Sequence, residues 1–181
     1  MVNPKIKLFA DGADLIKIKK LYEENAVMGF TTNPTLMRKA GVKNYKAFAL
    51  ELLDMITDLP KSFEVFSDDF DQMEKEARVI HSWGSNVFIK IPVTNTQGKS
   101  TVPLIKRLVA DGLKLNVTAV LTIDQIEQII IVLDNNVSAV ISVFAGRIAD
   151  TGRNPVPIMK KAVEMLDSKK KSRSCGRVVA S

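Results

Sequence analysis

Short apolar runs alternate along this chain with longer stretches in which apolar residues recur every three or four positions. The runs KIKLFAD, VMGFTTN, SFEVFSD, NVFIKIP, LKLNVTAV, SAVISVFAG and RVVAS predict strands. Between them, Leu15, Ile18, Leu21 and Tyr22 share one helical face, as do Ile123, Ile126, Ile129, Ile130 and Leu133 in a later stretch. Thr122 followed by Gln125 has the spacing of a capping box, Thr101 with Pro103 opens a helix that Gly112 closes, and Pro155 with Pro157 precedes the last helix.

Strict alternation of strand and helix predicts a parallel sheet, because each return crossover needs a helix packed on the sheet. A doubly wound sheet would place a glycine-rich phosphate loop after the first strand, but FADGAD has one glycine and no GxGxxG. The remaining architecture is an α/β fold of (β/α)8 TIM-barrel type, in which functional side chains sit at the C-terminal ends of several strands. Only six strand–helix units and a seventh strand are countable, so the expectation is one barrel domain over residues 1–181 that lacks the strand needed for closure.

One residue breaks the apolar pattern of NVFIKIPVTN. Lys90 sits among Val87, Phe88, Ile89, Ile91 and Pro92, and is expected to be the only lysine inside an apolar strand with acid/base groups around it. Polar residues recur in the other runs: Asp11 in KLFADG, Thr31 and Asn33 in GFTTNP, Glu64 in SFEVF, Asn116 and Thr118 in LNVTAV, and Arg147 after SVFAG. Thr31 and Asn33 are two apart, as are Asn116 and Thr118, so each pair lies on one face of its strand. In a barrel these groups ring the C-terminal mouth around Lys90. Taken singly they have plainer readings: Lys90 as an edge gatekeeper, Glu64 as an ion-pair partner, the Asn and Thr residues as caps or turns. Six successive runs with the same feature favour a site.

Desolvation disfavours a charged ammonium, which prepares a buried lysine to attack a carbonyl and form a Schiff base. The proton transfers that follow suit Asp11 and Glu64, and the amides and hydroxyls suit a hydroxyl-rich substrate, with Arg147 for an anionic end.

Composition adds limits. With 46% hydrophobic and 25% charged residues the chain is that of a soluble globular protein, and no run reaches the roughly 20 apolar residues of a membrane span. Without an apolar leader, a cytoplasmic location is expected. The net charge of +6 is concentrated at one end: Lys169, Lys170, Lys171, Arg173 and Arg177 leave the first 167 residues at +1. That tail has no interleaved aromatic residue for base stacking, so a nucleic-acid partner is not expected. Cys175 is the only cysteine, and Asn116-Val117-Thr118 matches a glycosylation acceptor within an apolar segment; both read as incidental. GKST lacks the first glycine of a phosphate loop, and His81 has no partner at ligand spacing, so no metal is expected.

In order, GFTTNPTLM, SFEV, NVFIKIPVTN, LKLNVTAV and VFAGRIADTG resemble the signature segments of the transaldolase family, including its short bacterial branch of transaldolases and fructose-6-phosphate aldolases. The resemblance implies a class I aldolase barrel. Lys90 would form the Schiff base, Asp11 would be the acid/base at the hydroxyl of the breaking bond, and Glu64 and Thr118 would hold the catalytic water. Asn33 and Asn116 would bind substrate hydroxyls and Thr31 would line the pocket. Arg147 and Ser181 would bind phosphate. The reaction implied is transfer of a dihydroxyacetone unit between sugar phosphates in the pentose phosphate pathway, without an external cofactor.

The aldolase branch tends to have glutamine at the position of Glu64 and tyrosine at that of Phe144, so these two residues favour transfer. The FADGAD around Asp11 departs from the more frequent DTA or DTS. Members of the family continue past the seventh strand, so the ending at Ser181 also fits a truncated, inactive or purely binding relative. A homo-oligomer is left open.

Overall fold

Among the described residues, seven parallel strands pair in chain order, each joined to the next by helical connections. The computed structural model describes residues 7–133, 136–172 and 177–180. The elements are β1 (Ala10–Asp11), α1 (Leu15–Glu23), β2 (Phe30–Thr31), α2 (Pro34–Lys39), α3 (Tyr45–Met55), β3 (Lys61–Glu64) and α4 (Phe70–His81). They continue as β4 (Val87–Pro92), α5 (Val102–Ala110), β5 (Leu115–Val120), α6 (Ile123–Val132), β6 (Ala139–Val143), α7 (Ala145–Asp150), α8 (Val156–Ser172) and β7 (Arg177–Ala180). The result is an incomplete barrel of TIM type, with β1 and β7 at its edges. Among the described residues no helix is long and apolar enough to cross a membrane.

All seven apolar runs contain a strand, but the first two strands keep only two residues each. Pairing of β1 with β2 is confined to Ala10↔Phe30 and Asp11↔Thr31, flanked by Met28 N–H to the Leu8 carbonyl at 2.7 Å and Gly12 N–H to the Thr31 carbonyl at 3.0 Å. Two connections carry an unexpected short helix. Asn33 caps α2 through Leu36 N–H at 2.9 Å with Pro34 at the first position, and α7 follows β6 directly.

The other helix signals act locally. Thr122 and Gln125 form the capping box of α6, and Gly112, at φ 84°, terminates α5 with Leu113 N–H closing on the Leu108 carbonyl at 3.0 Å. Pro157 lies within the first turn of α8 rather than before it, where its missing N–H costs nothing.

One face of the sheet meets the helices. Phe63, Ile89, Leu115 and Ala139 are in register across β3 to β6 and buried with Leu52, Met73, Leu108 and Ile129 from the helices. Each such large side chain contributes about 1.5–3 kcal/mol on burial. The periodic faces of α1 and α6 also pack inward, through Ile18 and through Ile126 and Ile129.

Lys61, just before the run SFEVFSD, is a second buried lysine. It begins β3, is 1% exposed, and donates its Nζ to the carbonyl of Ile56, the residue that ends α3. It alternates with Ser62 and Glu64, so it belongs to the helix side of the sheet, at the N-terminal end of the strand. Burial pushes the Lys61 ammonium down to about 8, against a smaller upward pull from Asp58. Between that value and the ordinary 10.5 the unfolded chain holds a proton that the folded chain lacks, so stability rises with pH across this window. We expect the urea midpoint of the wild-type chain to rise from pH 8 to 10 relative to Lys61→Met; parallel profiles would refute this.

Candidate active site

The face of the sheet away from the helices carries two tiers of polar side chains set by strand register. Asp11, Thr31 and Ser62 are neighbours across β1, β2 and β3, and Glu64, Lys90 and Asn116 are neighbours across β3, β4 and β5. In-register residues of a parallel sheet point the same way, and Ser62 and Glu64 are two apart on one strand, so both tiers share that face. Thr118, in register with Pro92, stands one step further toward the C-terminal end.

Lys90 occupies the middle strand of the seven and is 8% exposed, which removes the edge-gatekeeper reading. Its Nζ lies 3.3 Å from Glu64 Oε2 and donates to the Thr32 carbonyl at 3.3 Å. Burial raises the Glu64 carboxyl above its ordinary value; the Lys90 ammonium pulls it down, and the Asp11 carboxylate pushes it up by a smaller amount. The net effect is a carboxylate with increased proton affinity beside an amine.

On the β1 side, Thr31 donates its hydroxyl to Asp11 Oδ1 at 2.7 Å, and the Asn33 amide reaches Asp11 Oδ2 at 3.5 Å. Asn33 therefore works twice, since its Oδ1 also caps α2. On the other side, Asn116 Nδ2 donates to Ser62 Oγ at 3.1 Å, whereas Asn116 Oδ1 and Thr118 Oγ1 are buried with no hydrogen-bond partner. Buried polar atoms without a partner are costly, and a ligand group would satisfy them. Just beyond Thr118, β5 takes one extra residue between Val117 and Val120, and Ala119 there adopts φ 59°. A left-handed alanine costs about 1–2 kcal/mol, and the bulge re-aims the end of the strand.

The structure thus links Asp11, Thr31, Asn33, Glu64, Lys90 and Asn116 on one face. Phe144 is half-buried at the start of α7, its N–H on the Val120 carbonyl at 2.9 Å. Arg147 stands on α7 with its side chain 77% exposed and pairs with Asp150 at 3.5 Å, outside the linked group. Ser181 lies outside the described residues. Among the described residues no three His, Cys, Asp or Glu side chains are arranged to hold a metal ion.

Sequence reading missed three contributors. Ser62 was detectable, because it precedes Glu64 by two positions and so shares its face. Tyr45 in α3 donates its hydroxyl to the Glu64 carbonyl at 2.9 Å, and Glu76 in α4 accepts from the N–H groups of Phe66 at 2.7 Å and Ser67 at 3.1 Å. Together they pin the chain where it leaves β3. Burial, with the Glu64 charge, raises the Tyr45 hydroxyl above its ordinary value, so it remains a donor.

A family model described as transaldolase/fructose-6-phosphate aldolase matches residues 8–181. The chain is 33% identical over 163 residues to "Probable transaldolase 2" of Listeria monocytogenes, covering 90% of this chain and 70% of that protein. It is 34% identical over 162 residues to "Probable transaldolase" of Streptococcus pyogenes, covering 90% and 71%. A further "Probable transaldolase", from Dehalococcoides mccartyi, is 31% identical over 160 residues, covering 88% and 70%. Among solved structures, a monomeric dihydrodipicolinate synthase variant aligns with a TM-score of 0.59 at 14% identity, over 97% of this chain and 62% of that one, a likeness of fold alone. With the family model spanning nearly the whole chain and these relatives agreeing, the protein belongs to the transaldolase/fructose-6-phosphate aldolase family.

Proposed function

We propose that this chain carries the site of a transaldolase, which moves a dihydroxyacetone unit between sugar phosphates through a Schiff base on Lys90. The observation that supports it most is the buried Lys90 amine 3.3 Å from Glu64, with Asp11 and Asn33 on one side and Asn116 on the other.

Glu64, with its raised proton affinity, accepts the proton that the Lys90 ammonium must lose. The free amine adds to the ketose C2 carbonyl, and loss of water from the carbinolamine gives the iminium. Asp11 then takes the proton of the C4 hydroxyl, the C3–C4 bond breaks, an aldose phosphate leaves, and the electron pair stays on C3 as an enamine. Attack of the enamine on a second aldehyde reverses these steps, and water held by Glu64 and Thr118 releases the product. Arg147 and Ser181 bind the phosphate. The place of this reaction is the pentose phosphate pathway in the cytoplasm.

The second reading is a fructose-6-phosphate aldolase, which the family description includes. It would protonate the enamine and release free dihydroxyacetone. Phe144, half-buried at the start of α7, has no proton to give, which favours transfer. The test is a coupled assay with fructose 6-phosphate, with and without an aldose phosphate acceptor: turnover that requires the acceptor supports transfer, and release without it supports the aldolase. Glu64→Gln with Phe144→Tyr is expected to raise the ratio of release to transfer at least about tenfold, since a positioned acid contributes about 10²–10⁴. An unchanged ratio would show that these residues do not separate the two reactions.

A further inference from the structure

The backbone bonding between β2 and β3 stops one donor short of Glu64. Phe30 N–H donates to the Pro60 carbonyl at 3.0 Å and Thr32 N–H to the Ser62 carbonyl at 3.2 Å, so the alternation calls for residue 34 to donate to the Glu64 carbonyl. Residue 34 is a proline, which has no N–H and opens α2. The Tyr45 hydroxyl donates there instead, at 2.9 Å. A carbonyl oxygen can only accept, so the direction of this bond is fixed. On the other edge of the same peptide, Val65 N–H donates to the Lys90 carbonyl at 3.1 Å. The peptide that follows Glu64 is therefore held on both sides, by the backbone of Lys90 and by a side chain from α3.

Tyr45 is itself held. Its half-buried ring meets Phe66, Trp83 and Phe63 edge-on, with centroids 4.7, 5.3 and 6.2 Å away. We infer that Tyr45 is a positioning residue, which by holding the Glu64 carbonyl keeps the Glu64 carboxylate placed to take the proton of the Lys90 ammonium, 3.3 Å away. The inference rests on the Schiff-base reading above, in which that transfer leaves a protonated carboxyl and a neutral amine ready to add to the ketose carbonyl. Without the hydroxyl the peptide can turn about the Glu64 Cα, and a displaced carboxylate slows a transfer that depends on hydrogen-bond reach.

The test follows the rate at which the borohydride-trapped adduct forms from fructose 6-phosphate at pH 7 and pH 9. It compares the wild-type chain, Tyr45→Phe, Glu64→Gln and the double variant, with the urea midpoint of each as a check of folding. Tyr45→Phe keeps the ring and loses only the hydroxyl, which in the wild-type chain still donates at pH 9, because burial and the Glu64 charge raise it above its ordinary value. The rate of Tyr45→Phe at pH 7 is expected to fall about 10- to 100-fold. The deficit should shrink at pH 9, where solvent base takes the Lys90 proton without Glu64, and the double variant should react no more slowly than Glu64→Gln. An equal deficit at both pH values, or losses that multiply in the double variant, would mean that Tyr45 supports the fold without acting through Glu64; either overturns the inference. A wild-type chain that traps no adduct overturns the Schiff-base reading and this inference with it, whereas trapping at an undiminished rate in Tyr45→Phe removes the inference alone.

Discussion

Lys90→Met is expected to lower turnover by at least about 10⁴-fold, because it removes the nucleophile on which every later step depends. Methionine fills the space of the lysine stem in β4, so the sheet is preserved. What changes is the setting of Glu64, which loses the ammonium at 3.3 Å while burial and the Asp11 charge still push its proton affinity up. A carboxyl raised above its ordinary value stabilises the fold at low pH and loses that contribution as pH rises through its folded value. Lys90→Met should therefore unfold more readily than the wild-type chain near pH 8 and less differently near pH 5. Turnover within tenfold of wild type would exclude Lys90 as the nucleophile.

Asp11→Asn is expected to lower turnover about 10²- to 10⁴-fold, the range for a positioned general acid or base, while leaving Schiff-base formation intact. Asparagine has the same shape and still accepts from Thr31, whose hydroxyl reaches Asp11 at 2.7 Å. It cannot take the proton of the C4 hydroxyl. The variant should form the iminium with fructose 6-phosphate and then stall before the C3–C4 bond breaks. The check compares the adduct trapped by borohydride with the rate of aldose phosphate release; release within threefold of wild type would move the acid/base role to another residue.

The residues that are easiest to read in the sequence are those whose partners lie close by in the chain. Thr122 and Gln125 are three positions apart and form their capping box, and the apolar positions of α1 and α6 face inward at helical spacing. The strand alternation that put Thr31 with Asn33 and Asn116 with Thr118 on shared faces depends on a period of two. Contacts set by tertiary packing leave no such trace. Lys61 looks like a surface residue before an apolar run, yet Ile56 ends α3 where its carbonyl can receive the buried amine. Asn33 was read as a ligand-binding residue, and its plainer role as the cap of α2 proves real alongside the contact to Asp11. Short helices such as α2 and α7 have too few turns to show a periodic face, so they merged into the strand ends before them. The extra residue at Ala119 was hidden too, because a left-handed alanine is imposed by the strands around it.

The central claim, that Lys90 is the Schiff-base lysine, is tested most directly by intact mass and peptide mapping after the chain is incubated with fructose 6-phosphate and borohydride. The account predicts a single adduct on the peptide containing Lys90, absent in Lys90→Met. An adduct on Lys61, the other buried lysine among the described residues, or undiminished trapping in Lys90→Met would contradict it.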